Sequence, residues 1–143
     1  MDQTTLIIGK EFPTQVIPLI KTARKSVDII VFEWRWYPDQ VGSSIQQFNH
    51  EIIKAVRHNL KVRVLVNSKK ILGPLKDCGV DAKKLISKRL LHTKVMLIDK
   101  EMVILGSHNY TMNAFTINHE VSVIIHDKDV VKRLITYFEN LWL

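Results

Sequence analysis

The segment from His92 to Asn109 reads HTKVMLIDKEMVILGSHN, and six of its polar or small residues decide how the rest of the chain is read: His92, Lys94, Asp99, Gly106, Ser107 and Asn109. With residue frequencies of a few per cent each, all six positions match by accident in roughly one chain in a million. The apolar runs from Lys94 to Asp99 and from Met102 to Leu105 read as strands joined by a tight turn at Lys100-Glu101. Neutral imidazole is nucleophilic near neutral pH and forms a cleavable bond to phosphorus, so His92 is the candidate nucleophile. Lys94 stands two residues on, where an extended chain sends its side chain to the same face. Ser107 and Asn109, again two apart, offer a hydroxyl and an amide to phosphoryl oxygens, as Lys94 offers an ammonium. The combination reads as a phosphodiester site that needs neither metal nor other cofactor.

Working outward, Thr5 to Ile8 reads as a first strand and Pro13 opens a helix through Lys25. Val27 to Trp34 is a buried-strand pattern. Ser43 or Ser44 caps a helix to about Asn59, with Ile45, Phe48, Ile52, Ile53 and Val56 on one stripe. Lys61 to Val66 alternates as a strand, Gly73 and Pro74 break the chain, and a short helix covers Leu75 to Cys78. Val121 to Ile125 is a further strand. Asp127 or Asp129 caps a last helix with a stripe of Val130, Val131, Leu134, Ile135, Phe138 and Leu141. Strands alternating with helices predict an α/β fold, a mixed and mostly parallel sheet with helices on both faces. At 143 residues, one domain spanning 1–143 is expected.

The chain carries 21 Lys and Arg against 14 Asp and Glu, a net charge of +7. Such a field attracts polyanions and points to nucleic acid or an anionic surface. One cysteine, Cys78, excludes an intrachain disulfide framework and a cysteine-rich zinc site. The first residues lack a signal-peptide pattern, and no apolar run approaches the roughly 20 residues of a membrane span, so a cytoplasmic protein without an integral membrane segment is expected. His108, His119 and His126 fit no standard ligand spacing, so no metal site is expected. His50 and His58 fall on a predicted helix and read as solvated.

His92, Lys94, Asp99, Gly106, Ser107 and Asn109 together fill the signature of the phospholipase D superfamily, which the segment resembles: His-x-Lys, four residues, Asp, six residues, Gly-Ser-x-Asn. In length and layout the chain is similar to the small single-motif endonucleases of that superfamily, and Glu120 falls where they carry a glutamate. The resemblance implies a two-step displacement through a phosphohistidine, with a second motif's histidine as general acid. This chain carries the full signature once, since the other His-x-Lys, His126-Asp127-Lys128, is followed by neither the Asp nor the Gly-Ser-x-Asn, so a homodimer with a shared site is implied. It also implies catalytic roles for His92, Lys94, Asp99 and Glu120, with Glu120 accepting from His92 Nδ1–H and Asp99 orienting rather than acting as a base. Lys94, Ser107 and Asn109 are the implied phosphate-binding set.

Weaker candidates lie elsewhere. Trp34, Trp36 and Tyr37, with Arg35 among them, follow a strand at its carboxyl end, where ligands of α/β sheets tend to bind. Trp34, Arg35 and Trp36 are therefore candidates for a substrate groove on which bases stack, with packing into the core or a dimer interface as the other reading. His108 either touches phosphate or lies in the turn, and Glu33 either pairs with a nearby base or marks the groove. The expected function is a metal-independent endonuclease of low sequence preference acting on DNA or RNA. A phospholipase or phosphatidyltransferase acting on anionic lipid uses the same chemistry. A non-catalytic nucleic-acid-binding module is the third reading, and an intact His92 argues against it.

Overall fold

The computed structural model describes residues 4–143. Seven strands, β1 (Thr4–Ile8), β2 (Ser26–Val31), β3 (Lys61–Val66), β4 (Asp81–Lys84), β5 (Val95–Ile98), β6 (Met102–Gly106) and β7 (Val121–Ile125), form one sheet in the order β1-β7-β6-β5-β2-β3-β4. Five helices accompany them: α1 (Glu11–Lys21), α2 (Ser44–Arg57), α3 (Leu72–Asp77), α4 (Met112–Thr116) and α5 (Lys128–Trp142). The α/β class and the covering of both faces agree with expectation, but the sheet is mostly antiparallel. Only β2–β3 and β3–β4 pair in parallel, and these are the pairs joined through helices α2 and α3. A parallel pair needs a crossover of a dozen or more residues, and the short β5–β6 connection permits only the antiparallel arrangement.

The two faces are buried separately. Helices α1 to α4 cover a core in which Phe12, Val16, Ile45, Phe48, Ile52, Leu75 and Phe115 meet Ile29, Val31, Val64 and Met96 of the strands. On the other face α5 alone covers Ile30, Leu65, Leu97 and Val103, chiefly with Val131 and Phe138. Helix starts follow side-chain capping: Ser43 accepts from Gln46 N–H, Thr111 from Ala114 N–H, and Asp127 from Asp129 and Val130 N–H. Helix α4 has no counterpart in the sequence reading, since its five residues are too few to show a period.

Arg63 fastens α5 to the sheet. Its Nε donates to Asp28 Oδ1 at 2.8 Å, Nη2 donates to Glu139, and the guanidinium lies over the Phe138 ring at 4.7 Å. Burial opposes the Arg63 charge, but Asp28 and Glu139 outweigh it and hold the pKa above its usual value. Asp28 is 2% exposed, so losing Arg63 leaves a buried carboxylate uncompensated, a defect that typically costs about 3–5 kcal/mol.

The strand lengths place the chemistry. Helix α1 ends at Lys21, short of the expected Lys25, because the backbone N–H groups of Arg24, Lys25 and Ser26 turn to the Asp99 carboxylate at 2.7–3.1 Å. Strand β2 ends at Val31 rather than Trp34, because Glu33 to Arg35 leave the sheet to bond the Asn109 side chain and the Tyr110 backbone. The β5–β6 turn centres on Asp99 and Lys100, one residue earlier than expected, and both have φ of 55°. Positive φ at two central residues belongs to the mirror-image turns that match strand twist.

Candidate active site

Four strands adjacent in the sheet, β7, β6, β5 and β2, bring the signature residues other than Asp99 to one end, together with Phe32, Glu33 and Glu120. Because they alternate in direction, that end collects the carboxyl ends of β2 and β6 and the amino ends of β5 and β7. Phe32 and Glu33 follow β2, His92 and Lys94 precede β5, Ser107 and Asn109 follow β6, and Glu120 precedes β7.

His92 is exposed and Lys94 half-buried, with Lys94 Nζ 3.1 Å from His92 Nδ1 and 3.4 Å from Nε2. The expected same-side placement is thus present, and the ammonium reaches both ring nitrogens. Burial lowers the Lys94 pKa from its ordinary value, and the charge of Glu120 offsets part of that shift. Gly106 N–H donates to the Lys94 carbonyl at 3.4 Å, which ties the two halves of the motif together.

Gly106 is required by crowding. A Cβ there would overlap Ser122 Oγ, Ser122 Cα and the Val121 carbonyl oxygen. The close approach lets Ser107 and Val121 bond twice, through Ser107 N–H to the Val121 carbonyl and Val121 N–H to Ser107 Oγ, both at 3.0 Å. Ser107 Oγ donates to Glu120 Oε1, and Glu120 Oε2 accepts from Asn118 at 3.1 Å. The expected Glu120–His92 hydrogen bond is not made within this chain; Glu120 accepts instead from Ser107 and Asn118. Asn109 Oδ1 accepts from Glu33 N–H at 3.0 Å. That anchor uses the amide oxygen and leaves Nδ2–H2 as the end available to an oxyanion.

Asp99 does not join this group. The four-residue strand β5 separates it from Lys94, roughly 17 Å at 3.3–3.4 Å per residue, and puts it at the opposite end of the sheet. Its inclusion among the catalytic residues is corrected on that ground, whereas its orienting role agrees with the three backbone groups it binds. Burial raises the Asp99 pKa, but the Arg24, Lys25 and Ser26 N–H groups together lower it further, so the net shift is downward.

The expected groove changes most. Trp34 is 4% exposed, packs edge-on to Tyr110 and donates from Nε1 to Asn49 at 2.7 Å. Trp36 is half-buried against the same core. His108 is 1% exposed, packed at a tilt against the Phe12 ring, with one ring nitrogen bonded to Ser122 Oγ at 2.7 Å and the other to the Gly9 carbonyl at 2.8 Å. Burial lowers its pKa, in keeping with a neutral core histidine rather than a phosphate ligand. Of the proposed groove only Arg35 is exposed, and it pairs with Glu33 at 2.9 Å. It borders a cavity of about 160 Å³ lined also by Phe32, Asn67, Ser68 and Lys70.

Phe32 escaped the sequence reading. Its ring lies 4.8 Å from that of His92, and Lys94 Nζ is 5.6 Å from its centroid. In the sequence Phe32 falls inside the Val27–Trp34 strand pattern and nothing sets it apart; only the observed end of β2 at Val31 places it at the site. Among the described residues no group of three or more His, Cys, Asp or Glu side chains stands together to hold a metal ion, and no helix is long and apolar enough to cross a membrane.

The family model described as "Cardiolipin synthase, PLD-like domain" matches residues 16–142. Mitochondrial cardiolipin hydrolase of Xenopus laevis is 33% identical over 92 residues, covering 60% of this chain and 44% of that protein. The Homo sapiens protein of the same name is 24% identical over 140 residues, 94% of this chain and 52% of that one. The chain thus spans about half the length of these curated relatives. Among solved structures, NucT from Helicobacter pylori superposes with a TM-score of 0.77 at 21% identity, covering 97% of this chain and 94% of that one. Nuc from Salmonella typhimurium, described as a phospholipase D family member, gives a TM-score of 0.79 at 16% identity with the same coverage. At these identities the superpositions establish the shared fold.

Proposed function

Since the chain belongs to the phospholipase D-like family of phosphodiesterases, we propose that it is a metal-independent endonuclease, cutting DNA or RNA through a phosphohistidine at a site shared by two copies. The observation that carries the reading is an exposed His92 ring with Lys94 Nζ at 3.1 Å, beside Asn109 with its oxygen anchored and its amide nitrogen free for an anion. In this scheme His92 Nε2 attacks phosphorus, an N–P bond forms and the P–O bond to the leaving group breaks. The leaving oxygen takes a proton from the protonated His92 of the second copy. Water then attacks the phosphohistidine, yields its proton to that second imidazole, and the N–P bond breaks. Lys94 and Asn109 hold the oxygens on which charge develops. Ser107 adds a third donor once its hydroxyl turns from Glu120, and the carboxylate so released is the acceptor for a His92 Nδ1–H.

The dimer is supported by the presence of a single full signature in the chain and by exposed apolar residues near Glu120, namely Ile8, Ile117 and Val121. Nucleic acid is supported by the net charge of +7. Hydrolysis of a lipid phosphodiester is the second reading, favoured by relatives named as cardiolipin hydrolases.

The test is one assay in excess EDTA on DNA, RNA and cardiolipin vesicles side by side, with His92→Ala as control. Cleavage of nucleic acid by the wild type and a loss of at least a thousandfold in His92→Ala are expected. A strict need for added divalent metal would sink the mechanism, and lipid hydrolysis without nuclease activity would replace the substrate.

A further inference from the structure

The connection from β4 to β5 crosses the ends of β3 and β2, because β4 lies at the sheet edge and β5 beyond β2. It is fixed at both ends. Leu85 N–H donates to the Val66 carbonyl at 3.0 Å and its side chain packs under α5, while Leu91 is 4% exposed and its N–H donates to Asn67 Oδ1 at 3.3 Å. Between these anchors the chain projects. Ile86 is 96% exposed and Leu90 is 66% exposed, and Ser87, Lys88 and Arg89 between them are exposed too. Two aliphatic side chains held in water on a six-residue loop need an explanation, since neither contributes to the core.

The charge along this connection has one sign. From Ala82 to Ile98 the chain has no Asp or Glu, but it has Lys83, Lys84, Lys88, Arg89 and Lys94. The neighbouring connection after β3 adds the exposed Lys69 and Lys70 at the same end. We propose that residues 85–90 dock the protein on an anionic lipid bilayer, with Ile86 and Leu90 entering the acyl boundary while Lys88 and Arg89 meet lipid phosphates. Apolar tips beside cations are the chemistry of peripheral membrane binding. Nucleic acid would match the cations but gives isolated aliphatic tips nothing to stack on. A second copy of this chain fits less well, because six residues fall far below the roughly 800 Å² per partner of a stable interface. Docking of this kind would hold His92 against a membrane surface whichever phosphodiester it cuts.

Sedimentation with sucrose-loaded vesicles tests this, using phosphatidylcholine alone and phosphatidylcholine with one-third phosphatidylglycerol. Wild type and His92→Ala should partition equally onto the anionic vesicles and weakly onto the zwitterionic ones, so the result stands apart from turnover. Ile86→Ser/Leu90→Ser should weaken anionic partitioning at least tenfold, with circular dichroism and EDTA-resistant nuclease activity unchanged. Lys88→Gln/Arg89→Gln should weaken it about 25-fold, near fivefold per cation, with the loss shrinking as salt rises. In an independent readout, Ile86→Trp fluorescence should shift to the blue on anionic vesicles only. Partitioning unchanged in Ile86→Ser/Leu90→Ser would overturn the proposal. So would that variant altering the oligomeric state or nucleic-acid binding in place of vesicle binding.

Discussion

Replacing Asp99 should destabilise the fold while leaving turnover nearly intact, although Asp99 belongs to the signature. The carboxylate accepts from the N–H groups of Arg24, Lys25 and Ser26 at 2.7–3.1 Å, at the end of β5 away from His92. Hydrogen bonds to a charged group are each worth about 1.5–3 kcal/mol, but three on one half-buried carboxylate are not additive, so about 2–3 kcal/mol is lost with the side chain. Alanine at φ of 55° adds about 1 kcal/mol of backbone strain that asparagine largely avoids. Asp99→Ala should thus lose about 3–4 kcal/mol, near 10 °C in Tm for a chain this size, and Asp99→Asn about 1–2 kcal/mol. Urea unfolding measures the loss, and saturating kcat below the transition should stay within threefold. Because the native pKa lies below the unfolded value near 3.9, the carboxylate's contribution is complete above about pH 5 and is lost as pH falls through the native pKa. The gap between wild type and Asp99→Asn should therefore be flat from pH 5 to 8 and close in acid. A hundredfold fall in kcat at unchanged unfolding free energy would refute this placement, as would a gap that widens on acidification.

Gly106→Ala should cost about 3 kcal/mol, since its methyl group meets the Ser122 and Val121 backbone; a wild-type urea midpoint would contradict the crowding argument. The alkaline limb of kcat/KM should fall below the ordinary lysine range, because burial lowers the Lys94 pKa, and Glu120→Gln should move it lower still by removing a charge that raises it. A limb unmoved by Glu120→Gln would separate Lys94 from that titration. Phe32→Ala should reduce kcat/KM about tenfold through a misplaced His92 ring, with Phe32→Leu recovering part of it; parity between Phe32→Ala and wild type would remove Phe32 from the site.

The sequence carried the polar positions further than it carried the aromatic ones. His92 and Lys94 are readable because two-residue spacing in extended chain is a local rule, independent of what packs above it. Trp34 and His108 obey no local rule. Trp34 leaves β2 with the correct parity for a groove, yet the carboxamide of Asn49, on α2, reaches its indole N–H and closes it into the core. His108 occupies the one variable position of Gly-Ser-x-Asn, and its burial depends on Phe12 and Gly9, almost a hundred residues earlier. Contacts of that separation are not written into any window around the residue. The direction of the sheet was lost for a similar reason: alternating strands and helices describe β2, β3 and β4, but nothing in Val121 to Ile125 announces that it pairs with β1 and β6 instead.

The spacing of the signature then acquires a mechanical meaning. Four residues of β5 lead away from Lys94, a turn bearing two residues of φ 55° reverses the chain, and five residues of β6 lead back to Gly106. Val95 pairs with Leu105 and Gly106 N–H meets the Lys94 carbonyl, so the hairpin returns its polar end to the histidine. Asp99 is the residue at the far end of this hairpin, and by binding the backbone that enters β2 it fixes the strand that delivers Phe32 and Glu33 to the site. One short segment can therefore hold both the reacting groups and the residue that sets their frame, because an antiparallel pair turns a fixed count of residues into a fixed distance. What the proposed two-step displacement needs and the segment does not hold is a second exposed imidazole, and that is the ground on which a site shared between two copies is proposed.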